Sequence, residues 1–277
     1  MLLDNKIPRG SIYGVSRPVS SPQEQPPIYR DLHLLRELIR RDFNARFTGS
    51  ALGLAWAVLQ PLSLVILYWF VFTFMIPRGG GGGDGYIYFL ISGLLPWLAV
   101  NEGILRSTTC IVENSTMVRK LPFRSELLVV VPNATAVIFE LIAFTIFLVF
   151  LVVRGADLHG LWLLPCAIVV QFALQVGFGW MLAATYVFFR DLTQILGFAL
   201  SIIFYLSPIL YAATGRFAPL LQWNPMTPLL GLFRSAVLSS PLPEASSIVF
   251  LMAVTFGALA GGLTLFRRAQ PTLVDLI

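Results

Sequence analysis

Long apolar runs separated by short polar stretches set the pattern of this chain. A run of about 18 apolar residues suggests a bilayer span, because ~20 residues at about 1.5 Å rise cross a hydrocarbon core ~30 Å thick. Backbone N–H and C=O groups must be satisfied within such a segment, so helix is the expected form. A β-barrel would alternate apolar and polar positions over strands of ~10 residues, and these runs do not alternate. The pattern predicts an all-α integral membrane protein of about six transmembrane helices, at about 52–76, 86–105, 127–153, 161–189, 195–211 and 246–266.

The segments between the runs are distinct from one another. Residues 1–27 carry Pro, Ser and charge without periodicity and read as a disordered N-terminal tail. It lacks the apolar core of a signal peptide. Over 28–50, Leu32, Leu35, Leu38, Ile39, Phe43 and Phe47 recur at three- and four-residue spacing, with Arg36, Arg40, Arg41 and Arg46 between them. That is an amphipathic helix with a basic face, suited to the membrane interface; an ordinary helix packed on its own protein is the alternative. Gln60-Pro61 sits inside the first run and should kink it or loosen its first turns; the second half of the run is aromatic, with Tyr68, Trp69, Phe70, Phe72 and Phe74. Five successive glycines from Gly79, then Asp84-Gly85, make a loop. Residues 212–245 are too broken by proline to span and too apolar for a solvated loop, which predicts re-entrant or interfacial helices between spans five and six. The transmembrane domain thus extends over about 51–270.

Composition agrees with the pattern. The chain is 57% hydrophobic and 12% charged, against about 25% charged in soluble domains. Charge adds direction. With the N-terminus inside, the inner segments hold Lys6, Arg9, Arg17, Arg30, Arg36, Arg40, Arg41, Arg46, Arg106, Arg119, Lys120, Arg124, Arg190, Arg267 and Arg268. The outer segments keep Arg78, Arg154, Arg216 and Arg234. This imbalance places both termini in the cytoplasm. It also accounts for the net charge of +5, so no nucleic-acid partner is needed.

Catalytic motifs are absent from the sequence. It has no G-x-x-x-x-G-K-[ST] phosphate loop, no H-E-x-x-H, no C-x-x-C and no G-x-S-x-G. Asp84, Asp157 and Asp191 are scattered, and neither Cys110 nor Cys166 has metal-type spacing with His33 or His159. The chain is therefore not expected to be an enzyme or to hold a metal or cofactor. Two carboxylates fall in spans. Glu102 precedes Arg106 by four residues, the spacing of a local ion pair. Glu140 has no local base; it is either a proton-coupling group or a residue hydrogen-bonded to a neighbouring helix.

Several stretches together resemble a known family. They are Arg41-Asp42-Phe43-Asn44-Ala45-Arg46-Phe47, Ser50-Ala51-Leu52-Gly53-Leu54-Ala55-Trp56-Ala57 and Gln60-Pro61-Leu62. Further along stand Leu121-Pro122-Phe123-Arg124-Ser125-Glu126, Arg190-Asp191-Leu192, Tyr205-Leu206-Ser207-Pro208-Ile209 and Asn224-Pro225-Met226-Thr227-Pro228. In order and spacing, over about 28–270, they resemble the permease subunit of ABC-2 type polysaccharide exporters of the O-antigen and capsule class. The resemblance implies six spans, a homodimer, and a separate nucleotide-binding ATPase subunit in two copies, which would hold the ATP and Mg²⁺. It implies a lipid-linked polysaccharide as cargo, moved out of the cytoplasm across the bacterial inner membrane between the two copies.

The resemblance also assigns roles. Tyr68, Trp69, Phe72, Phe204 and Tyr205 would line the channel, where aromatic faces suit a sliding sugar chain, with lipid contact or packing as the alternative. Arg119, Lys120, Arg124 and Glu126 in the inner loop would dock the ATPase, or else meet anionic lipid. The glycine loop 79–85 and the tail depart from the family pattern. A membrane enzyme of glycan assembly and a proton-coupled carrier using Glu140 are the competing functions.

Overall fold

The computed structural model describes residues 27–46, 48, 52–71, 74, 84–120, 124–213 and 221–276. The tail 1–26, Phe72, loop residues 79–83, residues 121–123 of the inner loop and residues 214–220 lie outside the described residues. So do the side chains of Trp69, Asp84 and Lys120.

The described residues form helices and connecting turns, with no strand among them. In chain order the helices are α1 (Pro27–Ala45), α2 (Trp56–Phe70, preceded by a 3-10 turn at Gly53–Ala55), α3 (Asp84–Glu113), α4 (Ser115–Lys120) and α5 (Glu126–Val153). Then come α6 (Leu163–Phe188), α7 (Leu192–Leu206), α8 (Met226–Leu238) and α9 (Ala245–Leu276). Four are long and apolar enough to cross a bilayer: Gly85–Glu113, Glu126–Val153, Leu163–Phe188 and Ala245–Thr272. At 15 residues each, α2 and α7 reach only about 22 Å at 1.5 Å per residue. Six spans therefore requires counting α2 and α7 as crossings, and the far end of α2 runs into residues outside the description.

Three boundaries differ from the sequence expectation, each for a physical reason. The second run continues helical to Glu113 and the last to Leu276. Charged residues end the apolar stretch there without breaking the helix, since Arg and Glu are good helix formers. The fifth run ends earlier, at Leu206 and not near 211. Pro208 lacks an N–H and biases its predecessor away from the helical region, so Ser207 turns extended at φ −94°, ψ 141°.

Small residues bring the long helices together. A Cβ on Gly177 of α6 would lie 2.6 Å from the Ala258 carbonyl carbon, and one on Gly262 of α9 would lie 2.2 Å from the Gly177 oxygen. Close approach of this kind supplies packing where lipid provides no hydrophobic drive. At the end of the bundle that carries α4, Leu38 of α1 packs with Ile111, Val129 and Phe266 from α3, α5 and α9. Phe43 stacks on Phe139 of α5 at 5.0 Å. One face of α1 therefore packs on its own protein, while Arg36, Arg40 and Arg41 remain exposed on another.

Candidate channel wall and coupling surface

Several groups of polar and aromatic side chains stand out, beginning at the inner end as the charge pattern orients the chain. A cavity of about 560 Å³ opens between the end of α1 and helices α2, α3 and α5; Arg46, Trp56, Gln60, Glu102, Arg106 and Glu140 contribute to its lining. Arg106 Nη2 donates to Asp42 Oδ1 at 2.5 Å, and its Nη1 lies 3.6 Å from Glu102, the pair expected from i,i+4 spacing. Arg46 pairs with the same Glu102, and its guanidinium sits 4.3 Å over the Phe139 ring. Burial pulls the Arg46 pKa down to about 10, the Arg106 cation adds to this and Asp42 opposes it. Arg46 so remains charged at neutral pH. Two cations and two carboxylates thus tie α1 to α3 in a nearly neutral cluster. The sequence signalled the Glu102–Arg106 pair but not Asp42 and Arg46, which join from a different helix and the turn after it.

Glu140 is buried in α5. Gln171 Nε2 of α6 donates to its Oε2 at 2.5 Å, while its Oε1 has no partner among the described residues. Gln175, one turn along α6, is buried with both amide atoms unpartnered among the described residues. Of the two readings left open by the sequence, this geometry is that of a carboxyl bonded to a neighbouring helix.

About 18 Å along α2 from Trp56, at 1.5 Å per residue, the aromatic set converges. The Tyr68 ring lies 5.9 Å from Phe204, which is 5.1 Å from Tyr205 and 5.6 Å from Trp97. Phe204 is only 8% exposed, whereas Tyr205 is 64% exposed. Phe204 therefore backs the cluster and Tyr205 is its exposed member. Trp97, from α3, is a member that sequence reasoning missed. Its helix was read as a span with no reason to single out one ring.

Just beyond this cluster the turn after α7 is held by side chains. Asn224 Nδ2 donates to the Leu206 carbonyl at 3.3 Å and to Ser207 Oγ at 2.9 Å. Arg234 Nη2 of α8 donates to the Pro208 carbonyl at 2.6 Å and more weakly to that of Ile209 at 3.4 Å. Tyr86 Oη of α3 donates to the Leu210 carbonyl at 3.1 Å.

The inner-loop residues divide. Arg119 lies on the short helix α4. Arg124 is 3.6 Å from Asp31 of α1. Glu126, at the first turn of α5, accepts from Arg267 Nε of α9 at 3.0 Å, and its backbone oxygen accepts from Trp180 Nε1 of α6 at 3.0 Å. Arg124 and Glu126 are thus engaged within the chain itself. Among the described residues no group of His, Cys, Asp and Glu is arranged to hold a metal.

Comparison with known proteins gives a consistent result. The chain is 25% identical over 261 residues to the O-antigen export system permease protein RfbA of Myxococcus xanthus, covering 90% of this chain and 97% of that protein. It is 24% identical over 254 residues to the RfbA of Klebsiella pneumoniae, covering 88% and 95%. It is 22% identical over 245 residues to the polysialic acid transport protein KpsM of Escherichia coli, covering 86% and 93%. The profile of the ABC-2 type transporter family matches residues 33–238, from within α1 to the end of α8, and the chain belongs to that family.

Proposed function

We propose that this chain is the channel-forming permease subunit of an ATP-driven exporter that moves lipid-linked polysaccharide, of the O-antigen or capsule class, out of the cytoplasm. The observation that carries the reading is the breadth of the likeness: proteins named for O-antigen export align with about nine-tenths of this chain. In this reading two copies enclose the path in the bacterial inner membrane, with both termini cytoplasmic. Each copy receives energy from a separate ATPase that binds ATP and Mg²⁺, and α1 meets membrane lipid through its exposed arginines.

The geometry supports a division of labour. Tyr205 and Tyr68 offer aromatic surface to a passing sugar chain, with Phe204 and Trp97 holding them from behind. Stacking without directional hydrogen bonds suits a moving polymer. Trp69 and Phe72 extend the same aromatic stretch in the sequence. At the other end, α4 with Arg119 and Lys120 is the docking element for the ATPase. Arg124 and Glu126 act one step removed, joining that loop to α1 and α9.

Deleting the gene in its native host tests the reading. Polymer should accumulate inside the cell, and the tagged permease should co-purify with an ATPase encoded beside it. Normal surface polysaccharide after deletion would overturn it. A carrier coupled to protons through Glu140 is the alternative that the sequence raised, and the Gln171 hydrogen bond favours a packing role for that carboxyl instead.

A further inference from the structure

A buried arginine on an apolar helix is costly and calls for a reason. Arg234 is 8% exposed, lies on the apolar helix α8 and has no carboxylate beside it among the described residues. Its guanidinium carbon sits 3.5 Å over the Phe89 ring of α3. Gly93, one turn further along α3, leaves it room: a Cβ there would lie 2.8 Å from Arg234 Nη2. From this seat Nη2 donates to the carbonyls of Pro208 and Ile209.

Those carbonyls need partners because Pro208 ends α7. A broken helix leaves its last carbonyls without internal donors, and in a bilayer no water substitutes for them. Here the carbonyls of Leu206, Pro208, Ile209 and Leu210 are taken in turn by Asn224, Arg234 and Tyr86. α7 ends one residue after Tyr205. We propose that Arg234 is a positioning residue for transport: by gripping the Pro208–Ile209 backbone against α3 and α8, it fixes the end of α7 and so aims Tyr205 and Phe204. This rests on the reading of those aromatics as channel wall. The flat guanidinium lies on the ring while its outer nitrogen reaches the carbonyls; the ammonium of lysine has no flat face and a shorter reach, so lysine is a poor substitute.

The test uses the full permease with its ATPase, carrying Cys166→Ser and a thiol reporter introduced by Leu206→Cys. With Arg234→Lys added, complex yield should stay near that of the parent. Export should fall about tenfold, the scale of one hydrogen bond to a charged group. The reporter should react several-fold faster with a maleimide as the turn loosens. Export at the parent rate, or lost export with unchanged reporter reactivity, would overturn the proposal. If Arg234→Lys does not assemble, Tyr86→Phe decides. It removes one donor to the same turn, so it should raise reporter reactivity in the same direction, and no change counts against the clamp. Reporter reactivity needs no glycan, so failure of the clamp and failure of the polysaccharide assignment are read separately.

Discussion

Buried polar side chains in the bundle have specific work, and Glu140 shows how it is read. Its visibility in the sequence came from being a carboxylate in an apolar run. Its partner was not visible, because Gln171 lies 31 positions away on another helix. Substituting Glu140→Gln keeps an acceptor for the Gln171 amide, so export should remain near wild type; abolished export would point to proton coupling instead. Glu140→Leu strands Gln171 beside the already unpartnered Gln175. Leaving a buried polar group unsatisfied costs about 1–3 kcal/mol, which should appear as a lower melting temperature of the detergent-solubilised complex. The Asp42–Arg106 pair is partly exposed and should be weaker. A double-mutant cycle with Asp42→Asn and Arg106→Gln should give a coupling of about 0.2–1 kcal/mol.

At the scale of elements, apolar periodicity located the long helices well because length and hydropathy are local properties. Their ends were less legible. Charge ended the apolar run at Leu105, but α3 continued to Glu113, because leaving the membrane and ending a helix are different events. Ser207-Pro208 was noted inside the fifth run, yet its force as a stop becomes clear only with Asn224, Arg234 and Tyr86 in place to receive the freed carbonyls. The α6–α9 contact depends on glycines that no local pattern marks. Replacing Gly262 with valine would drive a side chain into the Gly177 carbonyl. Overpacking of this kind costs about 1–3 kcal/mol, so Gly262→Val should lower the melting temperature, whereas Gly261→Ala, which meets nothing within 4 Å, should not.

For the whole molecule, the charge asymmetry predicts an inner surface, and under the proposed function that surface is where energy arrives. Reversing Arg119 and Lys120 to Glu should uncouple ATP hydrolysis from export while the permease still reaches the membrane, as measured by ATPase rate against surface polymer. The aromatic wall was only half legible. Tyr68, Phe204 and Tyr205 do converge, but which ring faces outward depends on helix rotation, and that is decided by Trp97 and the α7 turn. Alanine at Tyr205 should reduce export with normal complex yield, whereas alanine at Phe204 should also lower stability because that ring is buried.

The start of α5 has a mechanical consequence. Arg124 is tied to Asp31 near the beginning of α1, and Glu126 to Arg267 on α9. Two helices far apart in the chain are thereby fastened at the start of α5. Under the proposed function, a displacement at the start of α5 would be shared with α1 and α9 through these two ion pairs. It would then reach the bundle as a tilt of several helices together, the way a yoke turns a team.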